Sequence, residues 1–326
     1  MFVKPHDKLV EVLRLQVLES RLIYNHPQME TVINDLRIKL AEVRGEEQLD
    51  YPLGFLNNQE YLILHNLRIQ DENGFFQIDT LVIYRSYLLI LEAKNWYGTL
   101  LFDKEGNVIR IGDDGKEEGF PNPIVQVKMQ EYRLRKWLHN IGFSDLPIHY
   151  FVVISFSSTI LKSISPDENI PSNIIHSNKL YLKIRELNQV NEQSLYVHDQ
   201  LLKLSNILIQ AHSPSTANVL LKYKISRDDI QTGVKCPCCQ TNIMIRSKQK
   251  WHCRLCNYFS KDAHVKALLE YKLLFGNRIN IREAGEFLQV ESRHTVKRLL
   301  QSAGCQNSGG KKGAYYLLDK INETTK

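Results

Sequence analysis

The first 235 of the chain's 326 residues contain no cysteine, and nowhere does an apolar run reach 18 residues. A membrane-crossing helix needs such a run, so none is expected. The opening residues, Met1-Phe2-Val3-Lys4-Pro5-His6-Asp7, lack the basic-then-apolar order of a secretory signal. A cytoplasmic location without membrane attachment is therefore the expectation. Internal repeats and low-complexity stretches are also missing. Hydrophobic residues at 43% and charged residues at 24% are ordinary globular proportions, which excludes disordered and collagen-like chains. At about 150 residues per domain, the length predicts two domains.

Charge is nearly balanced overall at +6, but not along the chain. Residues 231–326 carry 17 Lys/Arg against 7 Asp/Glu, a net +10, which leaves −4 on residues 1–230. A basic tail on a mildly acidic body points to a polyanion, usually nucleic acid. The cysteines divide the chain at the same place: five of the six lie within 236–256, and the sixth is Cys305. Crowding in one corner of a cytosolic chain argues for metal binding rather than a disulfide framework.

Hydrophobic periodicity divides the chain into five segments: a helical hairpin (1–44), an α/β domain (45–180), a helical connector (181–230), a cysteine-rich ribbon (231–260) and a helical tail (261–326). Within the second segment, Glu60–Ile69, Phe75–Tyr84 and Tyr87–Lys94 read as strands, and Asn73-Gly74 as a turn. Gly98–Ile111 reads as a hairpin turning at 105–107. Asn122-Pro123 opens a helix to about Ile141, with Val125, Met129, Leu134 and Leu138 expected to face inward. His149–Phe156 reads as a buried strand.

Asp79 interrupts one apolar strand, and Glu92 and Lys94 the next. A buried charge is costly unless it is paired or metal-bound. Side chains two apart on a strand share a face, so Glu92 and Lys94 project together, and the short link at Arg85-Ser86 can bring Asp79 beside them. Two carboxylates and an ammonium suit metal-dependent phosphodiester hydrolysis. Mg²⁺ (or Mn²⁺) prefers carboxylate oxygen, and Lys94 could orient water or neutralise the phosphate. The plain alternative is an ion pair on a half-exposed sheet. Two flanking features extend the pattern: Gly45-Glu46 on the preceding helix, with Glu47 as a rival to Glu46, and Gln126 one turn into the helix after Pro123. Trp96, at the strand end, reads as a packed aromatic before a DNA contact.

This ordered series resembles the NERD (nuclease-related) domain of the PD-(D/E)xK nuclease superfamily, over about residues 41–160. The resemblance rests on Arg44–Asp50 (RGEEQLD), Gln77–Ile83 (QIDTLVI), Leu89–Trp96 (LILEAKNW) and Asn122–Gln126 (NPIVQ). It implies a restriction-endonuclease-like mixed sheet flanked by helices and Mg²⁺-dependent nuclease chemistry. By position, it implies that Asp79 and Glu92 are metal ligands and Lys94 the catalytic lysine. Glu46 would be an accessory acid and Gln126 a polar group lining the site.

Cys236, Cys239, Cys253 and Cys256 form Cys-x2-Cys, thirteen residues, Cys-x2-Cys. That spacing suits one tetrahedral Zn²⁺ in a small zinc ribbon whose folding depends on the metal. Cys238 is surplus, and His252 is a weaker alternative ligand. Downstream, a short helix (281–288), a turn at 289–291 and a second helix opened by Ser292 resemble a helix-turn-helix. Gly309–Leu318 would supply a wing or terminal strand. Arg293, His294, Lys297 and Arg298 then occupy the face that enters a DNA major groove. RNA is the poorer fit, because its major groove is too narrow. The expectation is a metal-dependent deoxyribonuclease docked by its tail. The rival is a non-catalytic DNA-binding protein with a nuclease-like scaffold.

Overall fold

Three apolar stretches build the middle of the main sheet in a computed structural model that describes residues 1–7, 10–112, 114–165, 167, 169–215, 218–241, 243–309 and 314–321. The elements up to residue 215 are β1 (Phe2–Lys4), α1 (Val10–Arg21), α2 (Met29–Glu47), α3 (Asp50–Leu53), β2 (Leu62–Asp71), β3 (Gly74–Tyr84), β4 (Tyr87–Lys94), β5 (Thr99–Phe102), β6 (Val108–Ile111), β7 (Glu117–Phe120), α4 (Pro123–Asn140), β8 (Ile148–Ile154), β9 (Ile160–Ser163), β10 (Ile174–His176), α5 (Leu180–Val190) and α6 (His198–Ala211). Beyond them come α7 (Val219–Lys222), β11 (Ile245–Ser247), β12 (Lys250–His252), β13 (Phe259–Ser260), α8 (Ala263–Phe275), β14 (Arg278–Ile279), α9 (Ile281–Leu288), α10 (Arg293–Ser302), β15 (Gln306–Ser308) and β16 (Tyr315–Leu317). The chain forms two compact units, Met1–Leu9 with Ile38–Ser215 and Val10–Arg37 with Thr216–Lys326.

The first unit is mixed α/β. Its six-stranded sheet runs β1-β2-β3-β4-β8-β10, with antiparallel pairing from β2 to β4 and parallel pairing of β1 on β2, β8 on β4 and β10 on β8. Both faces are covered. Leu134 and Leu138 of α4 and Leu201, Leu204 and Leu208 of α6 pack on one face, and Leu53 of α3 and Leu180 and Ile184 of α5 on the other. Burial on both faces explains why Tyr87–Leu91 is apolar without a break. A second sheet, β7-β6-β5-β9, contains the expected hairpin of β5 and β6.

Two expectations fail here. Phe2–Lys4 is a strand, not part of a helical segment. In α4 the inward residues are Ile124, Val127, Gln130, Leu134 and Leu138, while Val125 and Met129 are exposed. The buried stripe starts from Ile124 next to the Asn122 cap, whose side chain accepts from the Ile124 and Val125 amides, and this sets the helix rotation.

In the second unit, α1 packs on α8. Fully buried Arg21 donates from Nε to Glu270 at 2.7 Å and from Nη1 to the Gln231 and Gly233 carbonyls. A buried guanidinium is tolerable only with such partners. β11-β12-β13 form a small ribbon, and β14-β16-β15 a three-stranded sheet beside α8, α9 and α10. Four residues of the expected wing or terminal strand, 310–313, lie outside the described residues.

Candidate functional site

The site forms where β3 and β4 part. Their ladder runs from Tyr84↔Tyr87 to Thr80↔Leu91. One step further, the Ala93 amide donates to Asp79 Oδ2 at 3.1 Å. The side chain thus takes a donor that the neighbouring strand would otherwise use. Strand alternation also slips here. Phe76 and Ile78 share one core face with Leu81 and Ile83, so the parity changes at Asp79-Thr80. On β2 it changes likewise between Leu64 and Leu67, across Asn66, which adopts a left-handed φ of 49°. The register places Asn66 opposite Asp79. Asparagine is among the few residues that tolerate this backbone.

Glu92, only 2% exposed, is held by three donors. Oε1 accepts from Lys94 Nζ at 2.7 Å and Gln126 Nε2 at 2.6 Å, and Oε2 from Gln130 Nε2 at 2.7 Å. Lys94 also donates to Gln126 Oε1 at 2.9 Å, so Glu92, Lys94 and Gln126 close a ring of hydrogen bonds. Lys94 Nζ lies 5.8 Å from the Trp96 ring centre, and Trp96 stacks on Phe120, as a packed aromatic should. Glu46, at the end of α2, accepts from Asn66 Nδ2, while Glu47 is exposed. Gly45 makes this approach possible. A Cβ there would sit 2.7 Å from Asn95 Cβ, and Ser155 Oγ donates to the Gly45 carbonyl at 2.9 Å.

All five expected residues therefore belong to one neighbourhood, with Glu46 reached through Asn66. Burial, then the charges of Glu92 and Glu46, push the Asp79 carboxyl well above its ordinary range, against the pull of Lys94. Burial likewise raises Glu46. Asp79 and Glu92 share the single ammonium of Lys94, and their hard oxygens are the donors Mg²⁺ prefers, so the residues fit a divalent ion there. Sequence reasoning missed Gln130 and Asn66. Gln130 follows Gln126 by four residues, a same-face spacing, and Asn66 interrupts an apolar strand as Asp79 does.

In the second unit, the Sγ atoms of Cys236, Cys239, Cys253 and Cys256 lie within 4.8 Å of one another, with Cys236–Cys256 at 3.6 Å and Cys239–Cys253 at 3.7 Å. Four sulfurs about 2.3 Å from a tetrahedral ion would be about 3.8 Å apart, so this cage fits zinc. The two knuckles match. The amides of Cys238 and Cys239 donate to Cys236 Sγ, and those of Leu255 and Cys256 to Cys253 Sγ. Each knuckle is followed by a left-handed residue, Gln240 (φ 57°) or Asn257 (φ 56°). Cys238 is exposed, and His252 stacks on Phe259 and bonds Asn257.

Downstream, Gln289 (φ 55°) ends α9, the Val290 amide bonds the Gly285 carbonyl at 2.9 Å, and Ser292 caps α10. Val296, Leu299 and Leu300 are buried, whereas Arg293, His294, Lys297 and Arg298 are exposed. A cleft of about 710 Å³ includes Arg246, Lys248, Lys261 and Arg298 in its lining.

No helix among the described residues is long and apolar enough to cross a membrane. No curated protein and no solved structure matches the chain significantly. A family model described as NERD, nuclease-related domain, matches residues 41–155, which span α2's end, β2 to β4, α4 and β8. Residues 41–155 are thus similar to a nuclease-related domain.

Proposed function

We propose that the nuclease-related domain hydrolyses DNA phosphodiester bonds and that the C-terminal unit docks the DNA. The observation carrying this reading is the Glu92–Lys94–Gln126 ring beside Asp79, at the point where β3 and β4 part. Asp79 and Glu92 would hold a Mg²⁺ or Mn²⁺ ion; when bound, it supplies charge for the phosphate and acidifies a water. Lys94 is the cationic group of the site. Held between Glu92 and Gln126, its ammonium is aimed to orient the attacking water or to meet charge developing on the phosphate. Gln126 lines the same space, and Asn66 keeps Glu46 in place as the accessory acid.

Docking is supported by the exposed basic face of α10 and by the basic cleft that includes Arg246 and Arg298. With α9 and the β14-β16-β15 sheet, α10 has the element order of a winged helix-turn-helix, and the four-cysteine ribbon is read as its zinc-bound neighbour. Arg293, His294, Lys297 and Arg298 would meet the major groove, and A-form RNA would fit worse.

The purified chain should cut plasmid or single-stranded DNA with Mg²⁺ or Mn²⁺. Asp79→Ala, Glu92→Ala and Lys94→Ala should each abolish cutting. Equal cutting by all four proteins would indicate a contaminant and end the assignment. One observation favours a second reading, a DNA-binding protein with a silent scaffold: both Glu92 oxygens already accept hydrogen bonds from neighbours. Salt-sensitive DNA binding without turnover under any divalent ion would select it.

A further inference from the structure

Away from Asp79 and Glu92, the first unit gathers His6, which follows β1, His65 on β2 and Asp50 at the start of α3. One donor atom from each lies within 4.8 Å of the others. His6 Nε2 is 3.1 Å and His65 Nε2 3.4 Å from the same oxygen, Asp50 Oδ1. Ligands about 2.1 Å from a shared ion are separated by about 3.0–3.4 Å, from octahedral to tetrahedral geometry. The remaining ring nitrogens are already engaged: His65 Nδ1 lies 2.9 Å from Thr80 Oγ1, and His6 Nδ1 3.2 Å from Asn66 Oδ1. Metal-binding imidazoles are oriented in this way, with the far nitrogen bonded to a neighbour and the near lone pair turned to the ion.

The His65 ring is 1% exposed, yet its Nε2 is buried without a hydrogen-bond partner. The fold has packed a polar atom inward and left it uncommitted, which is costly unless something binds there. The His6 segment is also pinned. Lys4 Nζ donates to the His65 carbonyl at 2.7 Å and pairs with Asp7 at 2.6 Å, and the Asp7 amide donates to Asn66 Oδ1 at 3.2 Å. The two rings stack at 3.8 Å, 16° from parallel, so their Nε2 atoms face Asp50 side by side. His6, with a side chain 18% exposed, has room to tilt until both lone pairs converge, and Asp50, at 43%, leaves an open side for water.

We propose that His6, Asp50 and His65 form a third metal site, distinct from the carboxylate site and the four cysteines, for a divalent transition ion of the zinc class. Two imidazoles and one carboxylate select zinc, cobalt or nickel over Mg²⁺ or Ca²⁺, which favour all-oxygen sites. Asn66 links the site to its surroundings, since the carboxamide that orients His6 also holds Glu46.

Equilibrium dialysis of the full chain, as purified, against Co²⁺ tests this. Beside any ion held at Asp79 and Glu92, the wild type should take up one Co²⁺ with weak visible d–d bands and no thiolate charge-transfer band. His6→Ala and Asp50→Asn should each weaken that uptake at least tenfold, while Asp79→Ala retains it. Uptake lost in Asp79→Ala and kept in His6→Ala would assign the ion to the carboxylate site and overturn the proposal. Absence of any nitrogen- and oxygen-bound Co²⁺ in the wild type would overturn it equally. If the triad is only an ion pair fastening β1, the His6 and Asp50 variants will not change uptake. Should His6→Ala fail to fold, Asp50→Asn, altered at an accessible side chain, gives the same reading. Nuclease activity does not enter the test, so its failure and that of the hydrolase reading are separable.

Discussion

Gly45 shows how one missing side chain sets the site. Its backbone lies against Asn95 and Ser155, where a Cβ would meet Asn95 Cβ at 2.7 Å and Ser155 Oγ at 3.1 Å. Asn95 Cβ is the root of its side chain and cannot swing aside, so Gly45→Ala must shift α2. Overpacking of this kind costs about 1–3 kcal/mol, against about 1 kcal/mol returned by alanine's better helix propensity. The expected result is a melting temperature about 2–4 °C lower, at about 1 kcal/mol net, measured by calorimetry. Cutting should fall as well, because Glu46 moves with the helix. An unchanged or higher melting temperature would show that α2 slides at no cost. The sequence offered Gly45-Glu46 as a motif without showing why glycine is needed, since the contact is with residues 50 and 110 positions away. Gln130 was readable in principle. It lies one turn before Leu134, on the face that Leu134 and Leu138 bury, and the expectation that Val125 and Met129 also face inward blurs that stripe.

At the scale of elements, strands of eight to eleven residues formed apolar runs long enough to be read, as β2, β3 and β4 show. The three residues of β1 did not, because their reason to be extended is pairing with Ile63 and Leu64 some 60 positions later. The parity slips at Asn66 and Asp79 were likewise invisible, although they create the site. The cysteine ribbon is the opposite case: its spacing alone announced the cage, because a tetrahedral ion leaves little freedom to two tight knuckles. With strands of two or three residues, β11 to β13 have too little core to persist without metal. Metal analysis should find about one zinc per chain at the thiolates, lost in Cys253→Ser. Hydrogen exchange over residues 245–260 should then become fast while β2 to β4 stay protected. A protected, zinc-free ribbon would contradict this account.

At the scale of a whole unit, the acid stability of the second unit follows from what it buries. His264 is 2% exposed; Trp251 Nε1 donates to its Nδ1 at 3.3 Å, and its Nε2 lies 3.2 Å from Ser302 Oγ. Ser302 Oγ donates to the Leu299 carbonyl, so it can accept from the Nε2–H. A second proton on Nδ1 would oppose the indole N–H. Burial first, then the nearby Arg246 charge, push the His264 pKa down to about 4, whereas an unfolded histidine titrates near 6.5. Between those values the unfolded chain binds a proton that the folded chain refuses. The neutral ring therefore costs nothing above about pH 6.5, and stability is lost as the pH falls toward about 4, by up to about 3 kcal/mol. Denaturant unfolding of the second unit, followed by Trp251 fluorescence at several pH values, should show this slope. His264→Gln should flatten it in that window, even if glutamine lowers stability at neutral pH. An equal slope in the variant would mean that other groups carry the acid response and that His264 takes its proton in the folded state.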